Sequence, residues 1–128
     1  MLVVEDNADG REMLVALLEA LGYEVASAED GPQALERAAA FLPQVVLLDL
    51  GLPHMDGVEV CRRLRAEPAL AGTFILALTG WGAERDRART AAAGFDAHLT
   101  KPMEPKALQD ALAHYTAAWP RKPATVPA

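Results

Sequence analysis

The chain has 128 residues, 52% of them hydrophobic and 23% charged, which is the size and composition of one globular domain. Its net charge of -6, without a long lysine or arginine run, argues against direct binding to nucleic acid, and no apolar run approaches the roughly 18 residues of a membrane span. The single cysteine, Cys61, cannot form an internal disulfide and fits a reducing compartment, so we expect a cytoplasmic protein without membrane contact.

Short apolar runs alternate along the chain with longer amphipathic segments, which is the pattern of a parallel sheet connected by helices. The predicted strands lie at residues 2–4, 23–28, 45–48, 74–78 and 97–99. Each strand is followed by a predicted helix, and these helices begin near residues 9, 30, 58, 83 and 104. Asp9 is expected to open a capping box for the first helix and Gly22 to end it. The apolar stripe of this helix should consist of Met13, Leu14, Leu17, Leu18 and Leu21. The pattern predicts an α/β domain.

Two segments are expected to pack less firmly than the rest. The fourth predicted helix, residues 83–93, is charged nearly all round and offers mainly alanines for burial. From about residue 117 the helical pattern dissolves into a stretch rich in proline and alanine. We therefore expect a folded domain at residues 1–116 and a tail or linker at residues 117–128.

Polar residues that could carry chemistry directly follow the apolar runs. They are Glu5 and Asp6 after the first strand, Asp49 after the third, Thr79 after the fourth and Lys101 after the fifth. The carboxyl ends of parallel strands meet at one edge of a sheet, so these side chains should share a crevice. Three carboxylates repel one another unless a cation lies among them, and all-oxygen ligands suit Mg²⁺. A hydroxyl and an ammonium group beside such a site suit a transferred phosphoryl group, so the residues predict phosphoryl transfer to a carboxylate.

Each of these residues also has an ordinary structural explanation. Acidic residues at strand ends often only solvate a loop, and Asp49 could cap a turn or a helix. Thr79 could satisfy a loop amide, and Lys101 could be a solvated surface charge. Their joint placement after four of the five strands favours the functional interpretation.

Four motifs, in order, resemble the receiver domain of two-component response regulators over about residues 2–116. They are residues 2–7 (LVVEDN), 45–57 (VVLLDLGLPHMDG), 77–80 (ALTG) and 100–102 (TKP). The resemblance implies a flavodoxin-like (βα)5 fold, a doubly wound α/β architecture whose five parallel strands lie in the order 2-1-3-4-5. Residues 94–102 (GFDAHLTKP) are similar to receivers attached to hybrid sensor histidine kinases.

The resemblance also implies a phosphoacceptor and a metal site. Asp49 matches the residue that takes a phosphoryl group from the phosphohistidine of a partner kinase or phosphotransfer domain and becomes an aspartyl phosphate. Asp6, Asp49 and the backbone carbonyl of Gly51 match direct Mg²⁺ ligands, and Glu5 matches a residue that acts through water. Such a domain catalyses only its own phosphorylation and dephosphorylation.

Three further positions match functional residues of the family, two of them in its switch. Thr79 matches the hydroxyl that moves to bond the phosphoryl group, and Lys101 matches the lysine that pairs with the acceptor. His98 stands at the aromatic switch position, where phenylalanine or tyrosine is more usual. The resemblance implies that phosphorylation changes the face formed by the fourth helix, fifth strand and fifth helix. That face would contact a downstream protein and could form a weak dimer.

Two other functions compete with this interpretation. A haloacid dehalogenase-like phosphatase also uses a strand-end aspartate and Mg²⁺, but such enzymes carry a second aspartate two residues later, where this chain has Gly51. A degenerate receiver that acts as a constitutive interaction module would have lost some of the chemical positions, all of which are filled here. Labelling by a small phosphodonor in the presence of Mg²⁺ separates an active receiver from a degenerate one.

Overall fold

The computed structural model of the protein describes residues 1–80, 90–101 and 104–118, the last five of these by backbone only. Within these ranges five strands form one parallel sheet in the order β2-β1-β3-β4-β5. The strands are β1 (Leu2–Val4), β2 (Ala26–Ala28), β3 (Val45–Asp49), β4 (Phe74–Thr79) and β5 (Ala97–Thr100). The predicted class and strand order are confirmed.

Helices cover both faces of this sheet. α1 (Ala8–Ala20) packs on the same face as the C-terminal helix (Pro105–Ala118), whereas α2 (Gly31–Phe41) and α3 (Gly57–Ala66) pack on the other. A short 3-10 turn (Pro68–Leu70) follows α3. Residues 90–93 are also helical, but the larger part of the predicted fourth helix, residues 83–89, lies outside the described residues.

The core lies on both sides of the central strands. Alternate side chains of β3 enter opposite apolar clusters, Val46 and Leu48 on the side of α2 and α3, and Val45 and Leu47 on the side of α1. All five residues of β3 are buried, because a central parallel strand is covered on both faces. Cys61 of α3 is fully buried in this core.

Three local predictions were wrong. β2 has three residues instead of six, because its ladder runs only beside the three-residue β1. The cap of α1 is Asn7, whose Oδ1 accepts a hydrogen bond from the Gly10 N–H at 2.8 Å; the helix begins at Ala8, so Asp9 lies inside its first turn. Met13 was expected on the buried stripe of α1 but is 70% exposed.

The end of the chain is described only in part. The C-terminal helix reaches Ala118, and residues 119–128 lie outside the described residues, so the division into a domain and a tail stays a prediction. In the described ranges, no helix combines the length and the apolar character that crossing a bilayer requires.

Candidate functional site

Strand pairing places the predicted chemical residues at one edge of the sheet. Val4, the last residue of β1, pairs with Leu48 of β3. The next residues, Glu5 and Asp49, therefore lie side by side. Thr79 ends β4, the next strand. The backbone N–H of Lys101, just after β5, donates to the Thr79 carbonyl at 2.7 Å, which extends the ladder by one residue. The ends of β1, β3, β4 and β5 therefore form one crevice, as expected.

Three carboxylates meet in this crevice. Glu5, Asp6 and Asp49 each offer a carboxylate oxygen, and the three oxygens lie within 4.8 Å of one another. Glu5 and Asp49 are only 4% and 7% exposed, whereas Asp6 is exposed. Water screens buried charges poorly, so the two buried carboxylates repel each other unless a cation or a proton lies between them.

Lys101 supplies a positive charge to the two buried carboxylates. Its Nζ lies 2.7 Å from Glu5 Oε1 and 2.7 Å from Asp49 Oδ2. The other Glu5 oxygen accepts the Asn7 N–H at 3.3 Å, and the other Asp49 oxygen accepts the Gly51 N–H at 2.9 Å. Both buried carboxylates are thus held in fixed orientations by a charge-assisted contact on one oxygen and a backbone amide on the other.

The two buried carboxylates have pKa values shifted in opposite directions. Burial raises the pKa of Glu5, and its hydrogen bond with Asp49 raises it further, against the lowering effect of Lys101. Burial also acts to raise the pKa of Asp49, but hydrogen bonds with Glu5, Lys101 and the Gly51 amide outweigh it and lower the pKa. Burial opposes the charge of Lys101, yet its contacts with both carboxylates raise the pKa of the ammonium group. This arrangement keeps Asp49 in its ionised form.

The donor set fits a hard divalent cation such as Mg²⁺. Among the described residues, three carboxylates face one ammonium group, which leaves an excess of negative charge there. All the candidate ligands are oxygens, and the exposed Asp6 leaves the cluster open towards solvent, which suits an ion that keeps several of its waters. The backbone carbonyl of Gly51 as a further ligand stays a prediction.

Thr79 and His98 make contacts away from the acidic cluster. The Thr79 hydroxyl, in a residue only 2% exposed, donates to the Leu99 carbonyl at 3.4 Å, a long hydrogen bond. The His98 ring is hydrogen bonded through Nε2 to the hydroxyl of the fully buried Thr90. Its centroid lies 6.4 Å from that of Phe95. His98 therefore connects β5 to helical residues 90–93.

Two residues near the site escaped the sequence analysis. Asn7 both caps α1 and donates its backbone N–H to Glu5; asparagine directly before a helix is a recognisable cap signal. Arg11 donates from Nη1 to the Glu5 carbonyl at 2.9 Å. Nothing in the sequence distinguishes this arginine from one that is exposed on the first turns of a helix.

A family profile described as the response regulator receiver domain matches residues 1–113. The chain belongs to this family. The response regulator PleD of Caulobacter vibrioides is 39% identical over 104 residues, which are 81% of this chain and 23% of PleD. The chain thus spans about a quarter of the length of that relative. Membership of the receiver family decides against the haloacid dehalogenase-like phosphatase.

Solved structures of receivers resemble this one closely. A putative response regulator from Chloroflexus aurantiacus J-10-fl has a TM-score of 0.85 and 34% identity, covering 91% of this chain and 95% of that one. The receiver domain of the sensor histidine kinase PA1611 from Pseudomonas aeruginosa PAO1 has a TM-score of 0.83 and 34% identity, with the same coverages. In that structure a magnesium ion is coordinated in the active site cleft. The predicted receiver fold is confirmed.

Proposed function

We propose that this receiver accepts a phosphoryl group on Asp49 from the phosphohistidine of a partner protein, in a reaction that requires Mg²⁺. The strongest support is the buried Asp49 carboxylate, 2.7 Å from Lys101 and inside a cluster of three carboxylates. A carboxylate oxygen of Asp49 forms a bond to phosphorus while the phosphorus–nitrogen bond breaks, and the electron pair of that bond returns to the imidazole. The partner is a histidine kinase or a histidine phosphotransfer domain.

The residues around Asp49 divide the remaining tasks. The lowered pKa of Asp49 supplies the ionised carboxylate that acts as the nucleophile. Asp6, Asp49 and the Gly51 carbonyl would hold Mg²⁺, and Glu5 would act through water; when bound, the ion would neutralise charge on the phosphoryl oxygens. Lys101 contacts the acceptor directly and stays with it as the new negative charge develops.

The same proposal assigns the output to a surface that includes β5 and the C-terminal helix. A phosphoryl group on Asp49 offers acceptor oxygens to the Thr79 hydroxyl, whose present bond to Leu99 is long and therefore weak. Movement of Thr79 vacates space beside β5, and His98 rotates into it. Because His98 is bonded to Thr90, its rotation displaces the adjoining helix. This surface would bind a downstream protein or a second copy of the domain.

Phosphorylation by acetyl phosphate tests the acceptor assignment. Intact-mass spectrometry of the wild type with Mg²⁺ should show one added phosphoryl group, and removal of Mg²⁺ by a chelator should prevent the addition. Asp49→Asn should add none, because the amide is nearly isosteric but is not a nucleophile. Asp9→Asn is the matched control: Asp9 is an exposed acid on the first turn of α1, and its loss should leave labelling unchanged.

Two results would contradict the proposal. Stoichiometric labelling of Asp49→Asn would place the acceptor elsewhere. Failure of the folded wild type to become labelled, by acetyl phosphate or by phosphohistidine, would instead favour the degenerate receiver that acts as a constitutive interaction module.

Hydrogen exchange tests the proposed output surface. Beryllofluoride with Mg²⁺ mimics the phosphoryl group, and its addition should change exchange rates at Thr79 and across residues 90–101. Changes confined to the loop after Asp49 would show that this receiver does not signal through that surface.

A further inference from the structure

Arg11 of α1 contacts the backbone carbonyls of the acidic site and not its carboxylates. Its Nη1 donates to the Glu5 carbonyl at 2.9 Å and, more weakly, to the Asp6 carbonyl at 3.5 Å. Its Nη2 lies 3.4 Å from Glu29 Oε1, just beyond β2. The Arg11 side chain is only 15% exposed, whereas that of Glu29 is 62% exposed. The ion pair with an exposed partner contributes little stability, so the carbonyl contacts are the main function of this guanidinium.

The two carbonyls belong to the residues whose side chains form two thirds of the acidic cluster. They lie where β1 has ended and α1 has not begun, so the regular hydrogen bonds of strand and helix do not hold these two carbonyls. The Glu5 N–H still pairs with the Ala28 carbonyl at 3.1 Å, but the Glu5 carbonyl has turned to Arg11. A planar guanidinium that donates to both carbonyls fixes the orientation of successive peptide planes. Those planes determine where the carboxylates of Glu5 and Asp6 point.

The charge of Arg11 alone would have the opposite effect. A cation beside a site for another cation repels it, so a purely Coulombic view predicts that Arg11 weakens Mg²⁺ binding. The hydrogen bonds instead direct the guanidinium at carbonyl oxygens and at Glu29, which partly neutralise it. The two effects of Arg11 on the metal site therefore have opposite signs, and the sign of a measured change shows which is larger.

We propose that Arg11 is a positioning residue for the Mg²⁺ site: by holding the carbonyls of Glu5 and Asp6 it aligns their carboxylates for the ion. This inference rests on the proposed function and concerns a residue that bonds to backbone carbonyls and to Glu29. Partners that orient metal ligands from outside typically account for 10-fold or more in affinity. Removal of Arg11 should therefore weaken Mg²⁺ binding by about tenfold.

Calorimetric titration with Mg²⁺ tests the proposal in the absence of any phosphodonor. Arg11→Gln removes the charge and should raise the Kd for Mg²⁺ by about tenfold. Arg11→Lys retains the charge but not the planar fork of donors, so it should also bind Mg²⁺ more weakly than the wild type. Arg37→Gln is the matched control: Arg37 also donates to a backbone carbonyl, that of Ser27, but on β2 and away from the cluster, and its loss should leave the Kd unchanged.

A second readout separates positioning from a general loss of structure. In the metal-free protein, amide resonances of residues 5–7 should shift in Arg11→Gln, while those of β3 and β4 stay in place. If Arg11→Gln fails to fold, Arg11→Lys decides by the same two measurements. An equal or lower Kd in the folded Arg11 variants, with Mg²⁺ binding intact in the wild type, would overturn the positioning role alone. A wild type that binds no Mg²⁺ would overturn both this inference and the proposed metal site.

Discussion

The two ends of the sheet hold their charges in opposite ways. At the carboxyl ends of the strands, Lys101 faces two buried carboxylates, and a third lies within the same cluster. At the amino ends of β4 and β5, Arg65 donates to the carbonyls of Ala71, Thr73 and Gly94 and pairs with Asp96 at 2.6 Å. The Arg65 network is balanced by Asp96 and by backbone carbonyls, whereas the three carboxylates of the acidic cluster outnumber the one ammonium group that the described residues bring to it.

This difference distinguishes a structural network from a functional one. Asp96 Oδ2 accepts hydrogen bonds from Arg65 and from the Ile75 N–H at 2.9 Å, so the charged pair also joins α3 to β4 and to the segment before β5. A site whose charges are already balanced stabilises the fold and has little to offer a ligand. A site with excess charge of one sign destabilises the fold by repulsion and attracts ions of the opposite sign.

Removal of Arg65 should have the largest effect on stability. Arg65→Gln removes the guanidinium donor from three backbone carbonyls and the ion pair from Asp96, so the free energy of unfolding should fall by about 3 kcal/mol. Urea denaturation measures it. Arg62→Gln is the matched control, since Arg62 is 58% exposed and 3.8 Å from Glu59, and it should cost less than about 0.5 kcal/mol. Equal losses of unfolding free energy in the two variants would mean that the Arg65 network stabilises the fold no more than an exposed ion pair does.

Addition of Mg²⁺ should raise the free energy of unfolding by a similar amount, through the acidic cluster at the other end of the sheet. At an Mg²⁺ concentration a hundredfold above the Kd, binding to the folded state should stabilise the wild type by about 2.7 kcal/mol. Asp6→Ala, which lacks one ligand, should lose most of that gain, and Asp9→Ala should keep it. Thermal unfolding with and without Mg²⁺ measures these shifts. Equal stabilisation of the wild type and Asp6→Ala would exclude the acidic cluster as the metal site.

Substitution of Gly94 should lower the free energy of unfolding by a smaller amount. Gly94 has a φ of +107° and lies against Arg65. An added Cβ would be 2.9 Å from Arg65 Cγ, so Gly94→Ala combines backbone strain with displacement of Arg65 and should cost about 2 kcal/mol. Gly22 has a φ of +96° and open space around it, so Gly22→Ala measures the cost of backbone strain without a steric contact. We expect that cost to be about 1 kcal/mol. If Gly22→Ala costs as much as Gly94→Ala, the contact with Arg65 contributes nothing.

The smallest expected effect is a change in the rate at which a thiol reagent labels Cys61. Burial raises the pKa of this thiol to about 11, and its Sγ donates to the Ala93 carbonyl at 3.4 Å, so a thiol reagent near pH 8 should label native protein very slowly. Arg65→Gln should speed labelling, because it loosens the segment around Gly94, whereas Mg²⁺ should leave the rate unchanged. A labelling rate that responds to Mg²⁺ but not to Arg65 would show that the two ends of the sheet are not independent.

The sequence predicted the carboxyl end of the sheet better than the amino end. Glu5, Asp49, Thr79 and Lys101 could be placed because each directly follows an apolar run, and parallel strands bring their ends together. The Arg65 network could not, since Arg62, Arg63 and Arg65 are equivalent charges in the sequence of α3, and only the packing of residues 71–75 and 94–96 against α3 selects one of them. Arg11 escaped for the same reason: its partners are backbone carbonyls, which carry no sequence signal.

We propose Asp49, which lies in the acidic cluster, as the phosphoacceptor. Borohydride reduces an aspartyl phosphate to homoserine, so treatment of the phosphorylated wild type, followed by peptide mapping, identifies the acceptor directly. We predict homoserine at residue 49 and nowhere else, and only in samples that were phosphorylated in the presence of Mg²⁺. Homoserine at the position of another aspartate, or conversion of residue 49 that is independent of Mg²⁺, would contradict the assignment of Asp49 as an Mg²⁺-dependent phosphoacceptor.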